Sequence, residues 1–262
     1  MSKKLILNAD DLGLRRSINA SVEELLVKGL ITSATIMVKR GADSLKEALD
    51  IARKISLREL RANGANNTNQ ARRISFGLHL DLDEYFLFDE IGRYGDNEMD
   101  VIENYREIIR DKRAILEKDI RLQLSTLKNN GLVISHVDSH HYVHQLPELL
   151  DLLLPIMNEF GIAATRYNPG FYVSEERKRS AMELMKRFGV RHPDGVCDLT
   201  VLLHDARNLR EETFDVIEVV LHTEYESSDP FSPWRFGQHS FLIERPEYFT
   251  PFELVDFGYF RK

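Results

Sequence analysis

The chain has 262 residues, 43% hydrophobic and 29% charged, proportions of an ordinary globular protein rather than a collagen-like or disordered one. Its net charge of −7 argues against broad binding to nucleic acid or anionic membrane, and its single cysteine, Cys197, excludes an intrachain disulfide framework and any CxxC zinc site. At this length one α/β barrel of roughly 250 residues is allowed, and folding needs no disulfide or metal staple.

In chain order, Leu5 to Ala9 is a compact apolar run that ends in Asp10-Asp11. Ile18, Val22, Leu25 and Leu26 then fall on one face of a predicted helix over Ser17 to Lys28, with Gly29 where a helix cap belongs. A strand over Ser33 to Val38 and a helix over Ala42 to Arg53 follow, and the polar stretch Arg61 to Arg73 reads as an exposed loop. Ile74 to Leu82 is a strand and Tyr105 to Asn129 one long amphipathic helix. The strand Leu132 to Val137, helix Leu146 to Phe160, strand Ala163 to Arg166, helix Glu175 to Phe188 and strand Val216 to His222 complete the alternation. Strand–helix repetition without a composition break points to one α/β domain with mainly parallel strands. Periodicity alone does not separate an open doubly wound sheet from a closed barrel. In both, the active site belongs at the C-terminal strand ends. The opening residues lack the pattern of a signal peptide, and no run of ~18 uncharged apolar residues occurs. A cytoplasmic protein without a membrane span is expected.

Polar residues fall at those strand ends. The first strand delivers Asp10-Asp11, the third His79 and Asp81, the fourth the stretch His136-Val137-Asp138-Ser139-His140-His141-Tyr142-Val143-His144, and the last His222. With 9 His in 262 residues, a nine-residue window holds about 0.3 on average, and here one window holds four. A helix starting near Ser139 would put His140 and His144 on one face. Neutral imidazoles and a carboxylate are the donors that bind a divalent ion with positions left for water and substrate. Each feature also has a plain reading: Asp10-Asp11 as a solvated turn or helix cap, and His79 as a satisfied core histidine. His204 and His239 read as surface or loop residues. Glycine-rich phosphate loops and a Gly-x-Ser-x-Gly elbow are absent, which disfavours nucleotide binding and serine hydrolysis.

At these residues the sequence resembles the YdjC-like carbohydrate deacetylases. Asn8 to Gly13 is similar to the family's NADDFG, Gly29 to Ala34 to its GIVTST, Gly77 to Leu80 to its GLHL, and His136 to His144 to its HLDSHHHVH. The resemblance implies a distorted TIM-like (β/α) barrel forming a single domain over 1–262. It implies one divalent metal ion held by Asp11, His79 and His140, with Mg²⁺ the family's ion. By chemistry, two His and one Asp suit Zn²⁺ or another transition metal, while Mg²⁺ prefers oxygen. It further implies Asp10 as general base, His222 as general acid or its partner, and Asp138, His144 and Arg166 as groups that orient ligands or bind sugar. Asp138 could hold an imidazole in one tautomer. The implied reaction removes an acetyl group from an N-acetylated sugar. The expected partner is a small carbohydrate, with neither nucleic acid nor membrane, and a homodimer is left open.

The chain departs from the family in places. Leu12 replaces Phe, Tyr142 replaces His, and Thr223-Glu224 stands where Pro-Gly is usual. Trp234 and Arg235 lie in a divergent stretch after Ser227. The same donors would serve a metal-dependent phosphoesterase, although that class more often opens with His-x-His. A barrel that binds sugar without turnover is the third reading.

Overall fold

In the computed structural model, which describes residues 3–65, 74–86, 98–172, 174–204, 209–225 and 233–261, the first strand, β1, is Lys4–Leu12. Its side chains alternate between two faces, as a pleated strand requires. Leu5, Leu7 and Ala9 join the main core under the helices, whereas Ile6 joins a second cluster with Ala164, Val216, Phe257 and Phe260. The other strands are β2 (Ser33–Ile36), β3 (Ser75–Leu80), β4 (Ile134–Ser139), β5 (Gly195–Asp198), β6 (Val216–Leu221) and the short β7 (Glu253–Leu254). All pair in parallel, in the order β4-β3-β2-β1-β6-β5, with β7 beside the start of β1. Single bridges from Val137 to Thr165 and from Ala164 to Arg191 carry the pairing from β4 toward the segment that enters β5. The sheet therefore curls into a distorted barrel rather than lying open.

Parallel neighbours need crossovers, and helices supply them. They are α1 (Arg16–Val27), α2 (Ala42–Ala65), α3 (Glu98–Asp111), α4 (Arg113–Asn129), α5 (Pro147–Glu159), α6 (Glu175–Phe188), α7 (Leu199–His204) and α8 (Pro233–Glu244). Helix α1 buries Ile18, Val22, Leu25 and Leu26, the face read from the sequence. It ends with Gly29 at φ +68°, where Gly29 N–H donates to Leu26 and Leu30 N–H to Leu25, closing the turn without a side-chain clash.

Four expectations change. Helix α2 runs on through Ala65, because good helix formers predominate after Arg53, no Pro interrupts them and Gly64 falls only in the last turn; residues 66–73 of the expected loop lie outside the described residues. The single helix over Tyr105 to Asn129 is two, broken at Lys112 (φ −104°, ψ 13°); the apolar stripe of Tyr105, Ile109, Leu116, Ile120 and Leu124 continues across the break and hides it. Ala163 to Arg166 makes isolated bridges rather than a strand. The helix expected from Ser139 is a 3₁₀ turn, His140–Gln145, in which His141 (φ 58°) and Tyr142 (φ 60°) take left-handed backbone. His140 and His144 consequently do not share a face. Four elements, β5, α7, α8 and β7, had no counterpart in the sequence reading.

Two irregularities aim side chains inward. The β1–β2 register slips between Ala9 and Leu12, and Asp11 sits at φ +66°. A regular strand would send Asp10 and Asp11 to opposite faces; this bulge turns both toward the barrel mouth. The β3–β4 register slips beside Gly77, where a Cβ would stand 2.5 Å from the His136 ring. Only glycine leaves space for that imidazole.

Candidate active site

The inward positions of the barrel are polar. Asn8 and Asp10 of β1, Thr35 of β2, His79 of β3, Asp138 of β4 and Glu218 of β6 are all buried. Arg166 ties them together. Its Nη1 and Nη2 donate to the two Asp10 oxygens at 2.8 and 2.6 Å, its Nε and Nη2 to Glu218 Oε1 at 3.0 and 2.7 Å, and its Nη2 lies 2.8 Å from Asp138 Oδ2. Burial alone would push Asp10 up, but the Arg166 charge, then that of His79, holds it below the ordinary carboxylate range. Glu218 goes the other way: burial outweighs Arg166 and raises it to about 7.

His79 occupies the next layer. Its Nδ1 faces Asp138 Oδ1 at 2.8 Å, and its Nε2 faces Asp11 Oδ1 at 3.3 Å. Both atoms of that second pair are buried and lack a hydrogen-bond partner. The other Asp11 oxygen, Oδ2, accepts from Arg235 Nη2 at 2.7 Å. Burial opposes the charge on His79, yet Asp138 and Asp10 raise its pKa well above the ordinary imidazole value. Asp11 is held well below the carboxylate range, against its burial, by His79 and Arg235.

His140 stands at the rim, its ring 5.8 Å from that of His79. Its Nδ1 is 2.8 Å from Asp83 Oδ2, and Arg40 pairs with the same carboxylate. Despite partial burial, the His140 hydrogen bond and the nearby charges lower Asp83 to about 2. His222 completes the mouth, with Nδ1 3.2 Å from Asp198 Oδ2 and Nε2 3.7 Å from Asp10 Oδ2.

Two groups of ligand-type atoms gather within 4.8 Å among the described residues: Asp10, His79 and Asp138, all buried, and Asp83, His140 and His141, half-buried. The first could hold a metal ion, but Arg166 already places its guanidinium against both of its carboxylates. The unpartnered pair, Asp11 Oδ1 and His79 Nε2, lies on the far side of the imidazole from Asp138. Bonds of roughly 2.0–2.2 Å to one ion set neighbouring donors about 3.0–3.5 Å apart, and the 3.3 Å separation fits that.

The expected site residues thus fall into three places. Asp10, Asp11, His79, His140 and His222 gather at the barrel mouth. Asp138 and Arg166 lie just beneath, wholly buried, and touch the mouth residues rather than solvent. His144 is also buried, its Nδ1 on Ser139 Oγ at 2.7 Å and its Nε2 3.3 Å from the Arg166 carbonyl, and burial lowers it to about 3. His239, expected at the surface, is buried on α8 with Nδ1 2.7 Å from Ser21 Oγ. The His204 side chain lies outside the described residues. The sequence reading missed Asp83, Asp198 and Arg235. Asp83 follows His79 and Asp81 at the same strand end and was legible by the same logic. Asp198 and Arg235 were not, because β5 and α8 had not been recognised.

Comparison with known proteins agrees with this architecture. The model of the YdjC-like protein family matches residues 4–243. A carbohydrate deacetylase of Brevibacillus brevis is 28% identical over 232 residues, covering 85% of this chain and 82% of its own. One from Oceanobacillus iheyensis is 23% identical and covers 85% and 86%. A crystal structure of a candidate cellobiose-phosphate cleavage protein from Enterococcus faecalis superposes with a TM-score of 0.67 at 20% identity, over 99% of both chains. That likeness supports the fold.

Proposed function

The chain belongs to the YdjC-like protein family, and from that premise we propose that it is a metal-dependent carbohydrate deacetylase that removes the acetyl group from an N-acetylated sugar and releases acetate. The observation that carries this reading is the buried pair Asp11 Oδ1 and His79 Nε2, 3.3 Å apart and with no other hydrogen-bond partner, beside His140 and a His222–Asp198 pair. Asp11, His79 and His140 would hold one divalent ion, Mg²⁺ by family resemblance, although two imidazoles and one carboxylate suit Zn²⁺ or another transition metal better than Mg²⁺, which prefers oxygen. When bound, such an ion acidifies water and polarises a carbonyl.

The chain's own residues do the rest. Asp138 and Asp83 accept the Nδ1 protons of His79 and His140, leaving each Nε2 as the donor atom. Arg166 keeps Asp10 ionised and fixes both its oxygens. Asp10 takes the proton from the attacking water. His222, oriented through Nδ1 by Asp198, gives a proton from Nε2 to the leaving nitrogen. Asp10 Oδ2 and His222 Nε2 lie 3.7 Å apart, near enough for both to reach one reacting centre, which supports the two roles. In this reading Asp138, Arg166 and His144 position other groups and do not touch sugar.

Among the described residues no helix is long and apolar enough to cross a membrane. The proposal places the enzyme in the cytoplasm, with a small carbohydrate as its partner. The test is acetate release from a panel of N-acetylated mono- and oligosaccharides with Mg²⁺, Zn²⁺, Mn²⁺ or chelator. Metal-dependent acetate from any member is expected. None from folded protein would favour the phosphoesterase or sugar-binding readings.

A further inference from the structure

Trp234 is the chain's only tryptophan, and 39% of its surface is exposed. Exposure alone is ordinary for a surface aromatic; what sets this one apart is its place at the catalytic mouth. Its ring centroid is 5.4 Å from that of His222, with the two planes at 79°. The Arg235 guanidinium lies over the indole, 5.1 Å from the same centroid. Both groups are tied into the site. Arg235 Nη2 donates to Asp11, and Gln238 of the same helix accepts the backbone N–H of His222 through Oε1 at 2.8 Å. The first turn of α8 is therefore fixed against the site, and the indole is held at its lip.

We propose that Trp234 is a stacking platform for a pyranose ring, and that it binds the sugar whose acetamide lies at Asp10 and His222. This rests on the deacetylase reading and adds what that reading lacks, a surface that recognises sugar rather than acetyl. A pyranose presents an apolar face of C–H groups with its hydroxyls directed outward. An uncharged, flat indole covers that face and leaves the hydroxyls hydrated. The charged residues at the mouth, Asp10, Asp11, His79 and His140, cannot. A protein partner would seek an exposed tryptophan too, but one seated there would cover His222.

The single tryptophan makes the test direct. The Asp10→Asn variant, loaded with Mg²⁺ or Mn²⁺ and slowed in turnover, is titrated with N-acetylglucosamine and its β-1,4-linked dimer and trimer while tryptophan emission is followed. Saturable change in emission is expected. In the enzyme with Asp10 intact, Trp234→Ala is expected to raise KM roughly tenfold, the loss of about 60 Å² of apolar contact, with a smaller change in kcat. Trp234→Phe should restore most of it. A sugar that releases acetate yet leaves emission unchanged, with KM in Trp234→Ala within twofold, overturns the platform. Emission change without acetate from any sugar supports the platform and overturns the deacetylase reading. Neither response overturns both.

Discussion

Two pairs of imidazoles, His79 with His140 and His136 with His144, lie in two regions of the molecule that hold them differently. At the mouth, His79 and His140 each turn Nδ1 to a carboxylate, Asp138 and Asp83, at 2.8 Å. Behind them, His136 and His144 each turn Nδ1 to a serine hydroxyl, of Ser135 and Ser139, at 2.7 Å. The consequences diverge. Carboxylates raise the His79 pKa well above the ordinary value, whereas burial lowers His136 well below it and His144 to about 3. His136 further stacks on Phe257, with ring centroids 3.5 Å apart. The partner of Nδ1, not the residue type, separates imidazoles that can serve a cation from those that pack as neutral groups.

The largest effect expected at the mouth that leaves the ion in place is that of Asp10→Asn. It should lower turnover by roughly 10²–10⁴, read from acetate release beside metal content. Near-normal turnover would remove Asp10 as the base. Next come the carboxylates behind the imidazoles. Asp138→Asn and Asp83→Asn should each weaken metal affinity by roughly 10–100-fold in a calorimetric titration. A larger effect at Asp138 would sharpen the comparison, since Asp138 is buried and Asp83 partly open.

How much of this was legible depends on residue and element. The strand-end carboxylates and the His136 to His144 cluster stood out because polar residues ended apolar runs. The division between His140 and His144 did not. It depends on left-handed backbone at His141 and Tyr142, and neither residue type announces that conformation. Likewise Asp10-Asp11 read as a pair, but only the bulge shows that both face inward. Arg166 entered only through the resemblance, as a group that orients ligands or binds sugar, because sequence gives no burial; four oxygens of Asp10, Asp138 and Glu218 enclose it. The end of α2 was misplaced because polar residues continue a surface helix as readily as they form a loop.

A smaller effect concerns pH. Asp138 and Asp10 raise the His79 pKa well above the ordinary imidazole value, so ion binding there competes with a proton. Metal affinity should fall by about tenfold per pH unit as pH drops below the His79 pKa. Asp138→Asn should flatten the slope, because the charge that raises His79 is gone. An equal slope in both proteins would show that another group is displaced. The smallest effect belongs to the rear pair: Ser139→Ala should cost about 1 kcal/mol in a denaturant titration and leave metal affinity unchanged.

One paired measurement tests the division at its centre. Metal-free protein, His79→Ala and His144→Ala are each titrated with Zn²⁺ by calorimetry, with circular dichroism to verify the fold. The account predicts one ion per chain in the parent and in His144→Ala, and none in His79→Ala. An ion retained by folded His79→Ala, or lost from folded His144→Ala, would contradict it.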